Sequence, residues 1–320
     1  MKYPDLRQFD VIALDTETTG LTRRDRMFGF SVAGGDWAEY YDIREEPASL
    51  EWLRDELLKY DGTIAFFNAS FDVIKFTDAN VHVPLDQIDD TSIRAVLINE
   101  NEFQYTLDWL ARTHLGVRKV EPYEELASLY GGRATRNAQM PNLHRAPPRI
   151  VRPYAVGDTE LTLQLWRWQQ HEIERQGIES ICEFERSAIP TIIEMAMHGV
   201  RVDLERAERA MEELTPIIEE KQAELNHITG QKFNVNSSPQ VKKFFEPWWD
   251  EESRGWKAAD GTELDKTPKG GPSIGKEVLA RMTHPVANLI TDIRSMTKTR
   301  DTFLGGHILE HAIGDRVYPT

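Results

Sequence analysis

Two carboxylates separated by one residue directly follow an apolar run near the amino terminus. Residues 9–21 read Phe-Asp-Val-Ile-Ala-Leu-Asp-Thr-Glu-Thr-Thr-Gly-Leu, which places Asp15 and Glu17 after Val11–Leu14. A short apolar run predicts a buried strand, and on a strand residues two apart share a face. Two ionised carboxylates on one face repel unless a proton or a cation lies between them. Hard divalent cations such as Mg²⁺ take this all-oxygen ligation. The pair alone is equally compatible with a solvated acidic strand end.

Two later stretches supply further carboxylates. Residues 67–72 (Phe-Asn-Ala-Ser-Phe-Asp) place Asp72 in the first turn of a predicted helix, where the helix dipole stabilises a negative charge. Residues 154–158 (Tyr-Ala-Val-Gly-Asp) place Tyr154 and Asp158 four residues apart, on one face of a long predicted helix. Each stretch alone is ordinary, so only their combination predicts a shared acidic site.

In their order along the chain, these three stretches resemble the three exonuclease motifs of the DEDD superfamily of 3′–5′ exonucleases, in its tyrosine-bearing subtype. The superfamily has a ribonuclease-H-like fold, so the resemblance implies an α/β domain with a mixed sheet flanked by helices. It implies two divalent metal ions, Mg²⁺ or Mn²⁺, held by the four carboxylates. The catalytic residues that it implies are Asp15, Glu17, Asp72, Tyr154 and Asp158.

A wider resemblance links the chain to the family A, DNA polymerase I-like enzymes. Residues 154–165 look like the third motif of that family's proofreading domain. Segments similar to the family's thumb region are residues 185–203, residues 230–240, His284-Pro285 and residues 298–303. The resemblance therefore covers essentially the whole chain except an insertion at residues 247–273.

Two domains are expected on this basis. Residues 1–178 form the predicted ribonuclease-H-like exonuclease domain, and residues 179–320 form a mostly helical, partial polymerase thumb. Within the second domain, Thr215-Pro216 is predicted to end one helix and begin another, and residues 247–273 are predicted to be a polar loop. In the family the palm and fingers follow this point, so we expect no polymerisation by this chain alone. It is either a piece of a longer, phage-type polymerase or a stand-alone protein.

Composition narrows the class of protein. The chain has 320 residues, a formal net charge of −15 and one cysteine, Cys182, which excludes internal disulfides and cysteine-based zinc sites. The charge argues weakly against a protein that coats nucleic acid without selectivity. No signal-peptide pattern and no membrane-length apolar run is visible, which predicts a cytoplasmic protein, in the host cytoplasm if a phage encodes it.

Basic residues are nevertheless concentrated in two places. Residues 131–152 contain five arginines and no acidic residue, and residues 23–26 add three more arginines around one Asp. Both stretches adjoin the predicted catalytic motifs, so we hypothesise that Arg133, Arg136 and Arg145 guide a single-stranded phosphate backbone. Solvated loop charge explains the same pattern equally well.

The resemblance also implies contacts to the nucleic acid. For the frayed 3′ end, the implied residues are Thr16, Leu21, Asn68, Phe71 and Tyr123. For the primer–template duplex, the implied thumb residues are Ser237, Gln240, Lys298 and Arg300. An ordinary charged helix explains the last two as well. The remaining rival functions are an exoribonuclease resembling ribonuclease D and a catalytically silent DNA-binding or scaffolding module.

Overall fold

The computed structural model describes residues 3–318 and divides into two compact units, one ending at His198 and one from Gly199 to Tyr318. The predicted boundary at residue 178 is therefore too early. The helix that follows it packs on the first unit, where Ile189 and Ile193 are buried in the main hydrophobic core. The predicted outer limits of the two domains, residues 1 and 320, lie outside the described residues.

A mixed sheet forms the centre of the first unit. Its strands are β1 (Val11–Thr18), β2 (Met27–Gly34), β3 (Trp37–Asp42), β4 (Thr63–Phe66) and β5 (Ile88–Asp90). Their order is β3-β2-β1-β4-β5, with β1, β2 and β3 antiparallel and β1, β4 and β5 parallel. This arrangement confirms the predicted mixed α/β fold of the ribonuclease-H type. Strands β2 and β3 form an antiparallel hairpin.

Helices cover both faces of this sheet. They are α1 (Ala48–Leu57), α2 (Ala69–Asp78), α3 (Thr91–Ile98), α4 (Leu107–Leu110), α5 (Tyr123–Tyr130), α6 (Arg136–Gln139), α7 (Pro148–Gln176) and α8 (Glu179–His198). The arginine-rich stretch before α7 contains α6 and a tighter helical turn at Met140–Arg145. Helix α7 begins at Pro148, a residue type that suits the first turn of a helix.

A row of small residues positions α7 against the sheet. Ala13 of β1 lies opposite Ala33 of β2 and Ala65 of β4, and Leu163 of α7 belongs to the same hydrophobic cluster. Because side chains alternate along a strand, Asp15 and Glu17 share the face of Ala13, towards α7. The opposite face of β1 packs with α2 in the main core, which places Thr16 on the α2 side.

The second unit is mostly helical. Its helices are α9 (Leu204–Thr229), α10 (Ser238–Phe245), α11 (Lys276–Arg281) and α12 (Pro285–Thr297), the last continuing in wider turns over Lys298–Leu309. A short antiparallel pair joins β6 (Val200–Arg201) to β11 (Arg316–Val317). The predicted break at Thr215-Pro216 is wrong, because α9 runs through Pro216. The Thr215 hydroxyl donates to the Met211 carbonyl at 2.8 Å within that same helix.

The insertion at residues 247–273 is folded rather than a loop. It contains β7 (Trp248–Asp250), β8 (Gly255–Lys257), β9 (Glu263–Lys266) and β10 (Pro272–Ser273), in the order β10-β9-β8-β7. Trp249 and Trp256 pair across the first two of these strands. Gly261, Gly270 and Gly271 lie between the strands, whereas Gly255 begins β8. The polar, glycine-containing composition therefore did not reveal the antiparallel strands. Across residues 3–318, no helix is both long and apolar enough to cross a membrane.

Candidate active site

The strand β1 carries Asp15 and Glu17 beyond the point where it is paired on both sides. Its pairing with β4 covers Val11–Ala13, whereas its pairing with β2 continues past both carboxylates. Asp15 and Glu17 therefore lie in the last part of β1, at an edge left open by β4. Glu17 is only 4% exposed and Asp15 is half-buried.

Helix α2 brings Asp72 to this open edge. Asn68, before the helix, has a left-handed backbone (φ 73°), which turns the chain sharply out of β4. The Asp90 carboxylate accepts the backbone N–H groups of Asn68 at 3.2 Å and Ala69 at 2.7 Å, which holds the start of α2. Asp72 Oδ1 then accepts the Thr16 backbone N–H at 3.0 Å and the Thr16 hydroxyl at 2.5 Å. The prediction that Asp72 lies in a first helical turn aimed at the Asp15 strand is confirmed.

Helix α7 supplies Tyr154 and Asp158 from the other face. The Ser31 hydroxyl of β2 donates to the Ala155 carbonyl at 2.9 Å, which fixes this part of α7 on the sheet. Both Tyr154 and Asp158 are 6% exposed. The Lys119 ammonium lies 2.5 Å from Asp158 Oδ2 and donates to Tyr154 Oη at 3.2 Å. The site thus places a lysine among the predicted acidic residues.

Burial dominates the electrostatics of the group. Removal from water raises the pKa of Asp15 and of Glu17 well above the usual carboxyl range, and the neighbouring carboxylates raise both further. Burial likewise raises the pKa of Asp72 to about 7, although the hydrogen bonds from Thr16 oppose it. The pKa of Asp158 is also raised by burial, against the attraction of Lys119. The ionised form of all four carboxylates is therefore disfavoured unless a positive charge lies close to them.

Burial also raises the pKa of the Tyr154 phenol well above its usual value, and the charge of Asp158 adds to the effect. The phenol therefore stays protonated at neutral pH and serves as a hydrogen-bonding group rather than a base.

The donor set suits a hard divalent cation. Glu17 Oε1 and Asp158 Oδ1 are buried and have no hydrogen-bond partner among residues 3–318. Buried polar atoms without partners are rare, and these are carboxylate oxygens, the ligands that Mg²⁺ and Mn²⁺ prefer. As they stand, the described Asp, Glu, His and Cys side chains do not form a group of three that could hold a metal ion. The cation beside Asp158 is Lys119 instead.

The predicted substrate residues near β1 and α2 have different environments. Leu21 is 74% exposed, in a loop that Lys75 of α2 holds by donating to the carbonyls of Thr22 at 2.8 Å and Asp25 at 2.7 Å. Phe71 is half-buried, with the Lys75 ammonium 5.4 Å from its ring centre. The Thr16 hydroxyl is engaged by Asp72, so its direct substrate contact stays a prediction.

The three predicted arginines have different contacts. Burial raises the pKa of Asp158, and the charge of Arg136 reaches that carboxyl and opposes part of the rise. Tyr123 is half-buried at the start of α5. Arg145 is exposed and stacks over Tyr130, 5.0 Å from the ring centre. Arg133 is likewise exposed. Arg136 is therefore placed to act on the carboxylates, whereas the side-chain contact found for Arg145 is with Tyr130.

The four predicted thumb residues belong to the second unit and contact their own neighbours. The Ser237 hydroxyl accepts the Gln240 N–H at 3.5 Å, and Gln240 Oε1 accepts the Asn234 N–H at 2.8 Å. The Lys298 ammonium lies 5.5 Å from the ring centre of Phe303. Arg300 pairs with Asp301 at 2.6 Å. Their contacts to a duplex stay predictions.

Sequence reasoning missed three residues of the site. Asp90 orders α2, and its position between a predicted strand and a predicted helix was a usable signal. Tyr40 of β3 fills the space where a Cβ on Gly29, opposite Glu17, would lie, so residue 29 must be glycine. Lys119 lies in an irregular segment, and no spacing in the sequence points to it.

A sequence model of 3′–5′ exonucleases matches residues 4–174, more than half of the chain. Together with the mixed sheet and the carboxylates that it positions, this match shows the class of the protein. The chain belongs to the 3′–5′ exonuclease family of the family A DNA polymerases, which confirms the resemblance found in the sequence.

Its relatives include phage polymerases. The chain is similar to the "DNA polymerase DpoZ" of Vibrio phage phiVC8, with 45% identity over 333 residues that cover 100% of this chain and 52% of that protein. It is also similar to the protein of the same name from Salmonella phage PMBT28, with 43% identity over 99% of this chain and 51% of the relative. The chain thus spans about half the length of these relatives.

A solved structure shows a similar fold. The structure described as the "POL domain of Pol1 from M. smegmatis complex with DNA primer-template and dNTP" matches 96% of this chain and 47% of that one, with a TM-score of 0.64 and 17% identity. At this identity the likeness concerns the fold alone.

Proposed function

We propose that this chain removes nucleotides from the 3′ end of DNA by metal-dependent hydrolysis and acts as the proofreading part of a family A polymerase. The observation that carries the proposal is the buried carboxylate group with its partnerless oxygens on Glu17 and Asp158. The polymerase names of the phage relatives support DNA as the substrate. The exonuclease family supports hydrolysis as the reaction.

The four carboxylates divide into two overlapping ligand sets. Asp15, Glu17 and Asp158 would hold one divalent ion, and Asp15 would hold a second whose water shell Asp72 contacts. Two such ions supply an activated water and neutralise the charge that develops on the phosphate and on the leaving 3′ oxygen. Thr16 donates two hydrogen bonds to the Asp72 carboxylate, so the orientation of Asp72 is set before metal or substrate binds.

Tyr154 and Glu17 would also orient the reacting groups by hydrogen bonds, without transferring protons. Tyr154 keeps its proton because burial raises its pKa, so its hydroxyl positions the attacking water and does not deprotonate it. Glu17 can accept a hydrogen bond from the terminal 3′ hydroxyl through its partnerless oxygen. Both functions require groups held rigidly before the substrate arrives, and the anchoring of α7 by Ser31 provides this.

The DNA end would enter as a single strand. Leu21 is exposed on a loop that Lys75 holds, which suits a side chain that wedges against a terminal base. Tyr123 and Phe71 offer aromatic faces, and stacking on such faces tolerates every base, as a proofreader requires. Arg136, whose charge reaches Asp158, would meet the phosphate backbone.

The test is a labelled 3′-recessed DNA primer on a template, incubated with Mg²⁺ with and without nucleotides, beside an RNA primer of the same sequence. We expect stepwise shortening of the DNA that EDTA and Asp15→Ala abolish. Asp36→Ala, in the exposed hairpin turn, is the matched control and should shorten DNA normally.

The other outcomes contradict specific parts of the proposal. Faster shortening of the RNA primer would favour an exoribonuclease, and no shortening by folded protein would favour a silent binding module. Extension of the primer when nucleotides are present would show that the chain polymerises alone, against our expectation.

A further inference from the structure

Lys119 places a positive charge directly beside two of the predicted catalytic residues, Asp158 and Tyr154. Its ammonium lies 2.5 Å from Asp158 Oδ2, 3.2 Å from Tyr154 Oη and 4.5 Å from the centre of the Tyr154 ring. The side chain is 16% exposed, so water screens this ion pair only in part. The contacts are those of a counter-ion in the carboxylate group rather than of a surface lysine.

The influence of this ammonium extends beyond its direct partner. It opposes the burial that disfavours ionised Asp15 and Glu17, in addition to Asp158. A lysine brings one positive charge, however, whereas four carboxylates converge here. Glu17 Oε1 and Asp158 Oδ1 still lack partners with Lys119 in place, so the neutralisation is incomplete. A divalent ion would satisfy these oxygens better. If it bound Asp158 Oδ1, it would lie beside the Oδ2 atom that Lys119 contacts, and the two cations would repel each other at one carboxylate.

The segment that carries Lys119 can yield to such a competitor. Residues 116–122 have no helix or strand hydrogen-bond ladder, between the left-handed Gly116 (φ 70°) and the start of α5. Val120 lies over Gly157 of α7, where a Cβ would be 3.9 Å from Val120 Cγ2. This contact holds the segment near Asp158 without fixing the lysine itself, whose stem has four rotatable carbons.

We propose that Lys119 is a displaceable counter-ion, which stabilises the site without metal and must be expelled when a divalent cation binds to Asp158. The proposal rests on the function proposed above for its assignment of a cation to these carboxylates. Because the two cations exclude each other, each weakens the binding of the other by the same factor. Metal binding is thereby coupled to residues 116–122 and to Tyr123, which follows them directly.

The first test is a calorimetric titration of the purified chain with Mn²⁺. Lys119→Met should bind Mn²⁺ roughly tenfold more tightly than the wild type, a coupling in the usual range for competing ligands. Arg118→Met is the matched control, because it removes one charge from the neighbouring, exposed residue. Asp15→Asn should lose most of the binding, which shows that the titration reports this site.

Two further measurements separate counter-ion exchange from a folding defect. In EDTA, Lys119→Met should melt at a lower temperature than Arg118→Met, and saturating Mn²⁺ should remove the difference. In the wild type, Mn²⁺ should speed amide hydrogen exchange across residues 117–122, a measurement that needs no variant.

Equal or weaker Mn²⁺ binding by Lys119→Met, relative to Arg118→Met, would overturn the proposal while leaving the metal-dependent function intact. Unchanged exchange across residues 117–122 in a wild type that binds Mn²⁺ would overturn it as well. If no variant binds Mn²⁺ and DNA is not hydrolysed, the proposed function fails together with this inference.

Discussion

In the first unit, Glu17, Asp72 and Asp158 are buried beside the half-buried Asp15, and two of the carboxylate oxygens have no hydrogen-bond partner among residues 3–318. In the second unit, Arg300, one of the two charged residues predicted to meet DNA, is compensated at short range by Asp301 at 2.6 Å. A buried, uncompensated charge is costly and is kept where a ligand will meet it. A compensated charge near the surface contributes little to stability and only modestly to binding.

Charge neutralisation in the two units should therefore have very different consequences. Asp158→Asn should reduce metal-dependent hydrolysis of a 3′ end by about a thousandfold or more, since it removes a metal ligand. Asp301→Asn, the matched change in the second unit, should leave the rate within about twofold. Single-turnover hydrolysis of a labelled oligonucleotide measures both. Similar losses of hydrolysis rate in the two variants would contradict the proposed difference between the buried carboxylates of the first unit and the paired charges of the second.

The buried carboxylates should also make stability depend on pH in an unusual direction. The folded state raises the pKa of Asp72 to about 7, so the folded chain binds this proton more tightly than the unfolded chain does. In EDTA, the contribution of Asp72 to the free energy of unfolding should be greatest below the ordinary carboxyl pKa of about 4. It should fall by a few kcal/mol as the pH rises to about 7.

Urea unfolding at several pH values in EDTA measures this trend. Asp72→Asn should reduce the slope without abolishing it, because the pKa values of Asp15, Glu17 and Asp158 are raised as well. Saturating Mn²⁺ should also flatten it, because the cation favours the ionised carboxylates. Stability that rises with pH through this window would contradict the burial argument.

Within the first unit, the structure separates two predicted arginines that the sequence treated alike. Arg136→Gln should weaken single-stranded DNA binding roughly three- to tenfold, because the charge of Arg136 reaches Asp158. Arg145→Gln should cost less than about twofold, because Arg145 stacks on Tyr130. Binding titrations at several salt concentrations distinguish the two. Equal effects would mean that both arginines meet the backbone, as the sequence-based hypothesis holds.

The smallest effect is expected in the second unit. Reversal of charge at Lys298 and Arg300 together should weaken duplex binding by about two- to fivefold and spare single-strand hydrolysis, because Asp301 already compensates part of this charge. Fluorescence anisotropy with a blunt duplex, beside the hydrolysis assay, measures both. Loss of hydrolysis with unchanged duplex affinity would show that these residues act elsewhere.

Much of the site follows from local sequence. The apolar run before Asp15 specifies a strand, the spacing of Tyr154 and Asp158 specifies one helical face, and Asp72 falls in a first helical turn, as predicted. These features depend on contacts between near neighbours, which local patterns report well. The errors have the same origin: Pro216 and the glycines of residues 247–273 suggested breaks that packing overrides.

Other features depend on residues that are distant in the chain. The row formed by Ala13, Ala33 and Ala65 sets how closely α7 approaches the sheet, and no local pattern reveals a row across three strands. The sequence by itself determined which carboxylates and which tyrosine belong together. Only the tertiary structure decided that Lys119 lies among them, because an irregular segment carries no periodicity and is positioned solely by what it packs against.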